Sequence, residues 1–127
     1  MFEQDYIMRL IHEMVRFALK LIFNIDAKAP TMELLADTEV QTTLETLYDA
    51  IDAGDICAAE NQLYKMTSIG EMHNLEIGLL FYSYLNEKSD DFLKEHNFSR
   101  EEVKLGLEDL LARYGLRNLA ELFWTDF

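Results

Sequence analysis

The strongest constraint in the sequence is a segment near the amino terminus whose apolar residues cover a wider arc of the helix circumference than one core contact requires. Residues 5–24 read DYIMRLIHEMVRFALKLIFN, and at about 100° per residue their polar side chains fall on one stripe. The remaining apolar arc spans roughly 200°, whereas a helix that lies on a core needs an arc only somewhat wider than 100°. We therefore expect a long helix here that contacts a second surface besides its own core.

The two edges of this arc form the candidate self-association surface. Its residues are Met8, Leu10, Val15, Phe17, Leu19 and Leu21. Three surfaces are candidates for the second contact, namely another part of the same chain, a second copy of the protein and a lipid interface. We expect a second copy, and therefore a homodimer. A signal peptide is not expected, because Glu3 and Asp5 stand where such a peptide is basic. A membrane span is not expected either, since charges interrupt the apolar run every three or four residues.

Length and composition indicate one helical domain. The chain has 127 residues, half of them apolar, which is enough for one domain over residues 1–127 with a core of its own. One proline and five glycines in this length favour helices over many short strands. We predict an all-α fold of about seven helices packed as antiparallel hairpins.

The middle of the chain carries the signals of two helices joined by a tight corner. Thr38 followed by Gln41 is a capping-box pattern, and the helix it begins is expected to reach about residue 53. Gly54 suits the left-handed conformation after a helix end, and Asp55 suits the N-cap of the next helix.

This corner resembles one seen in a repeat family. GDICAAENQLYKM is similar to the inter-helix corner of tetratricopeptide repeats, in which a Gly-Asp turn precedes a small close-packing residue, here Ala59. The pattern does not recur at the period of about 34 residues typical of such repeats. The resemblance therefore implies a single repeat-like hairpin within a right-handed helical array.

The second half of the chain predicts the centre of the fold and further capped helices. Residues 75–87 are apolar on nearly all sides, so we expect this helix to be central. Ser89 is predicted to cap a short helix, and Ser99 with Glu102 forms a second capping box. Two further helical segments are expected. They are a short helix capped by Thr31 and a tail, NLAELFWTDF, that docks through Leu119, Leu122, Phe123 and Trp124.

The net charge of the chain limits the classes of partner that we expect. A formal net charge of -13 repels phosphate backbones, so nucleic acid is not an expected partner. Residues 31–61 hold no lysine or arginine among many acids, which indicates a solvated face or a docking face for a basic protein or peptide. Cys57 is the only cysteine and cannot form an internal disulfide, which favours a cytoplasmic location.

The sequence contains no recognisable catalytic, cofactor or metal motif. His12 begins as a zinc-protease helix would, but the residue four positions later is Arg16, which is not a metal ligand. A calcium loop counted from Asp49 would place Ile51 and Ala53 at ligand positions. We therefore expect no cofactor and no enzymatic activity.

Three stretches together resemble one protein family. They are MFEQDYIMRLIHEM, GLLFYSYLN and FSREEVKLGLEDL. Their pattern is similar to a family of small proteins of unknown function from Gram-positive bacteria. The resemblance implies a helical-repeat-like fold and brings no activity, cofactor or catalytic residue.

The expected function is a non-catalytic interaction or scaffold module that self-associates through its first helix. Two alternatives stay open at this point. The first is an enzyme whose site is assembled from scattered residues, namely His73, Glu76, Tyr82 and Tyr84. The second is a peripheral membrane binder that uses the first helix, although anionic lipid would repel so acidic a body.

Overall fold

The fold is built from α-helices. The computed structural model describes residues 2–25, 37–68, 71–119 and 121. Its helices are α1 (Phe2–Phe23), α2 (Thr38–Asp52), α3 (Ile56–Thr67), α4 (Met72–Asn86), α5 (Asp90–Glu95) and α6 (Arg100–Arg113). A further helical turn covers residues 117–119, and no strand occurs in the described residues. The prediction of an all-α fold of about seven helices is confirmed.

Helix α4 lies at the centre, as its sequence predicts. It packs against α1, α2, α3 and α6. Leu79, Leu80 and Phe81 are consecutive and all fully buried, which is possible only for a helix enclosed on several sides. The other helices are therefore arranged around this one element.

Helix α1 packs on α4 and also on α6, and its contact with α4 includes a partly buried hydrogen bond. Asn86, the last residue of α4, donates from Nδ2 to the carbonyl oxygen of Met8 at 2.9 Å. The Asn86 side chain is buried, so this bond fixes where α1 sits along α4 at the cost of placing an amide in the core.

Several helix ends follow their predicted local chemistry. The hydroxyl of Ser89 accepts from the amide of Phe92, and that of Ser99 accepts from the amide of Glu102. Gly54 has φ +88°, and the amide of the residue after it donates to the carbonyl of Ala50, which satisfies the end of α2.

One N-cap assignment needs correction. Asp37, not Thr38, caps α2, and its carboxylate accepts from the amide of Glu39 at 2.8 Å. An ionised carboxylate is the stronger acceptor at the positive end of a helix, so the helix starts one residue after it. Asp55 does occupy the N-cap position of α3, but its side chain makes no capping hydrogen bond.

Some predictions fall partly or wholly outside the described residues. The helix capped by Thr31 lies there, and so do Leu122, Phe123 and Trp124 of the tail. Leu119 is described and packs against the core. The tetratricopeptide-like character of the α2–α3 hairpin and the handedness of the array stay predictions. Among the described helices, none combines the length and apolarity needed to cross a membrane.

Candidate interaction surface and polar clusters

The six residues predicted for self-association are divided between the core and the surface. Val15 and Leu19 are completely or almost completely buried, and Leu10 is 9% exposed. Met8 is half-buried. Phe17 is 37% exposed and Leu21 is 62% exposed.

The wide apolar arc of α1 is therefore used mainly inside the protomer. Val15 and Leu19 on one flank and Leu10 on the other face inward, which corrects their assignment to a self-association surface, while Met8 is half-buried. The reason is that α1 packs on two helices, α4 and α6, and two contacts bury a wider arc than one. Phe17 and Leu21, one turn apart, remain as the exposed part of the predicted surface.

A polar cluster joins the end of α2 to the end of α4. The hydroxyl of Tyr84 donates to Asp52 Oδ1 at 2.7 Å, and Lys88 Nζ donates to the same oxygen at 2.6 Å. The hydrogen bond from Lys88 is the largest cause of the lowered pKa of Asp52. The Tyr84 ring stacks on that of Tyr48 with ring centroids 3.8 Å apart. Each polar group has its partner within the cluster, so the arrangement holds two helix ends together.

A second polar pair lies between α3 and α4. The hydroxyl of Tyr82, a residue only 3% exposed, donates to Glu60 Oε2 at 2.7 Å. Burial is the main cause of the raised pKa of Glu60, and the nearby carboxylates of Glu102 and Asp109 raise that pKa further. Glu60 is thus a carboxylate whose charged form is disfavoured in the folded protein.

We expect Glu60→Gln to increase the free energy of unfolding at neutral pH by roughly 0.5 kcal/mol, because the amide keeps the Tyr82 hydrogen bond and removes the disfavoured charge. A pKa that is raised on folding makes the ionised group a destabilising one, so the wild type gains stability as pH falls from above the folded pKa toward the model value of 4.5. The variant lacks this gain. Urea unfolding of both proteins at pH 7.5 and at pH 5 measures the difference.

The matched control for this variant is Glu45→Gln, which removes an exposed carboxylate on α2. It changes the net charge equally and has no buried pair to relieve. An equal effect of the two substitutions at both pH values would show that the response comes from net charge and not from the Glu60 site.

Arg100 is the most buried charged residue of the described chain. Its side chain is 2% exposed, and it donates to the carbonyl oxygens of Asn86 and Lys88 and to the carboxylate of Asp90. A cavity of about 280 Å³ adjoins it, lined also by Leu93 and Phe98. Because both terminal nitrogens of the guanidinium donate to these oxygens, its role is to hold the α4–α5 turn against the start of α6.

The scattered residues proposed for an enzymatic site do not form one cluster: burial raises the pKa of Glu76 and the nearby His73 lowers it, but neither tyrosine joins this pair. His73 Nε2 lies 3.3 Å from Glu71 Oε2 at the start of α4. Tyr82 and Tyr84 lie some three turns further along this helix and bind carboxylates on α3 and α2 respectively. The described residues contain no group of three histidine, cysteine, aspartate or glutamate side chains placed to hold a metal ion.

Comparison with known proteins identifies the family. Residues 1–115 match a family of unknown function, DUF6483. The chain belongs to this family. No curated protein and no solved structure matches it.

The DUF6483 match extends from α1 through α6. It ends at Gly115, which has φ +73° and follows the last turn of α6. The exposed residues of α1, both polar pairs and Arg100 all lie within the matched range, so each is a feature of the family domain of this chain.

Proposed function

We propose that this DUF6483 protein is a non-catalytic, cytoplasmic interaction module that self-associates through α1. The observation that carries the proposal is the exposure of Leu21, an apolar residue that is 62% accessible on a helix whose inner face packs into the core. Phe17, one turn earlier, extends the same apolar edge. Exposed apolar side chains grouped on one helix edge are typical of contact surfaces between proteins.

The distribution of charge favours a second copy as the occupant. Residues 1–25 carry as many basic as acidic side chains, namely Glu3, Asp5, Arg9, Glu13, Arg16 and Lys20. The whole net charge of -13 therefore comes from residues 26–127. Two copies repel each other elsewhere, so the neutral α1 region is where they approach most easily.

Any partner other than a second copy of this chain is expected to be a basic protein or peptide. The α2–α3 hairpin, whose Gly54-Asp55 corner and buried Ala59 support the tetratricopeptide-like interpretation, carries no lysine or arginine between residues 37 and 60. Only a partner of opposite charge would be attracted to this hairpin.

The first test is the oligomeric state. Because the exposed apolar edge is small, we expect a dimer with a dissociation constant on the order of 10 μM. Size-exclusion chromatography with light scattering, run from low to high micromolar protein, measures the molecular mass. We expect Leu21→Glu to weaken the dimer at least about tenfold, because a two-fold contact places the new charge in the interface twice.

The matched control is Leu105→Glu. Leu105 is 60% exposed on α6, so the substitution adds the same charge at a similarly exposed leucine. It should leave the dimer intact, and circular dichroism should show both variants folded. A wild type that stays monomeric at high micromolar concentration contradicts self-association, as does equal weakening by both variants.

A further inference from the structure

We infer that α3 opens away from α4 as a local unit while α1, α4 and α6 stay packed, and that Glu60 makes this opening depend on pH. The inference goes beyond self-association and applies equally to a monomer and to a dimer. It concerns a helix that contributes few apolar side chains to the core. Elements of this kind open at a lower free energy than the domain as a whole.

The apolar contact of α3 is small for its length. Its buried residues are Ile56, Ala59, Leu63 and Thr67, so only two branched apolar side chains reach the core. Helix α6 is two residues longer and buries four such side chains. Since burial of apolar surface is the main force that holds a helix on its neighbours, α3 depends more than α6 on its polar contacts.

The polar contacts of α3 differ between its two halves. Near its C-terminal end, Arg113 of α6 donates from Nη1 to the hydroxyl of Thr67 and lies over the Tyr64 ring, 4.5 Å from the ring centroid. The N-terminal half is joined to α4 through Glu60, which accepts from the Tyr82 hydroxyl at 2.7 Å. Glu60 therefore lies where α3 meets α4.

The titratable groups that act on Glu60 come from α4 and α6. They are the Tyr82 hydroxyl on α4 and, on α6, the carboxylates of Glu102 and Asp109 and the guanidinium of Arg113. Burial is the largest cause of the raised pKa of Glu60, and the two carboxylates raise it further, while Tyr82 and Arg113 act in the opposite direction.

Opening of α3 returns Glu60 to water and removes these effects on its carboxyl group. The pKa of Glu60 is thus higher in the closed state than in the open state, so protonation stabilises the closed state. As pH rises, Glu60 ionises more readily in the open state, and opening becomes more favourable. Helix α3 is therefore held more tightly in mild acid than at neutral pH.

Native-state hydrogen exchange of the whole chain tests both parts of the inference. Exchange is measured at pH 5 and at pH 7 and corrected for the intrinsic rate at each pH, which gives the opening constant of each helix amide. We expect the opening constant of the α3 amides to be at least about tenfold larger than that of the α4 amides. Raising the pH should increase the α3 opening constant about twofold in the wild type.

Glu60→Gln separates the titration from other effects of pH. Its side-chain carbonyl still accepts from Tyr82 but does not ionise, so α3 of this variant should open as rarely at pH 7 as that of the wild type at pH 5. The matched control is Glu45→Gln, which removes an exposed carboxylate from α2. Its α3 amides should respond to pH as the wild type does.

The possible results bear on separate parts of the inference. Equal opening constants for the α3 and α4 amides would show that α3 opens only with the whole domain, which overturns local opening. A pH response that Glu60→Gln retains in full, or that Glu45→Gln also abolishes, overturns the role of Glu60. Light scattering measures self-association independently, so a failure here is distinguishable from a failure of the proposed function.

Discussion

Replacing Arg100 with alanine is expected to lower the free energy of unfolding by about 3 kcal/mol, because buried oxygens that it satisfies would lose their donor. Its guanidinium donates to the carbonyls of Asn86 and Lys88, which stand at the end of α4 where no intrahelical donor is left. It also forms a salt bridge with Asp90, and Asp90 forms no other salt bridge within the described residues. Native domains are stable by only about 5–15 kcal/mol, so the loss is a large one.

Urea unfolding monitored by circular dichroism measures this effect, with an unchanged m-value expected. Arg100→Lys should recover only part of the stability, since a single ammonium lacks the fork that reaches several oxygens in one plane. Arg117→Ala removes the same charge from an exposed position and serves as the control. A loss at Arg100 no larger than that at Arg117 would show that the buried guanidinium is not needed at the turn.

Features whose partners lie a few residues apart could be predicted from the sequence. Ser99 and Glu102 are three residues apart, and the amide of Glu102 donates to the Ser99 hydroxyl as the capping-box pattern indicates, while that hydroxyl donates to Glu102 Oε1. The amide of Leu116 donates to the carbonyl of Leu111 at 2.8 Å around Gly115, which ends α6 as its glycine predicts. Such signals depend on local backbone geometry, although two adjacent candidates for one cap are not distinguished, as Asp37 in place of Thr38 shows at the start of α2.

The candidate surface on α1 could be predicted only in part. The width of the apolar arc measures how much of the helix must be covered, but it carries no information on which element covers each edge. The structure assigns the edge of Val15 and Leu19 to the core and leaves Leu21 exposed. Both edges are equally apolar, so periodicity does not distinguish them.

Long-range polar pairs gave no signal in the sequence. Tyr82 and Glu60 are 22 residues apart, and each is compatible with a solvent-facing position on its own helix. Arg100 follows an N-cap, where a charged residue normally faces water, and only the packing of the α4–α5 turn buries it. The sequence does hold one hint of close packing between helices, which is a glycine inside a helix. Glycine is unfavourable there unless close packing requires it.

Gly106 is such a residue, and Gly106→Val is expected to lower the free energy of unfolding by about 3 kcal/mol through overpacking and loss of a charge-assisted hydrogen bond. A Cβ atom at this position would lie 2.5 Å from the hydroxyl oxygen of Tyr82 and 2.6 Å from its Cε1 atom. The Tyr82 ring is buried and its hydroxyl is held by Glu60, so the ring has little room to move away. The better helix propensity of valine offsets only a few tenths of a kcal/mol of this loss.

A double-mutant cycle with Tyr82→Leu tests the cause. Tyr82→Leu removes the ring that the new side chain would meet, so adding Gly106→Val to it should cost at least about 1 kcal/mol less than in the wild type. Denaturant unfolding of the four proteins gives the coupling energy. Additive losses would mean that Tyr82 does not determine the need for glycine at position 106, and that the α4–α6 contact tolerates a side chain there by another movement.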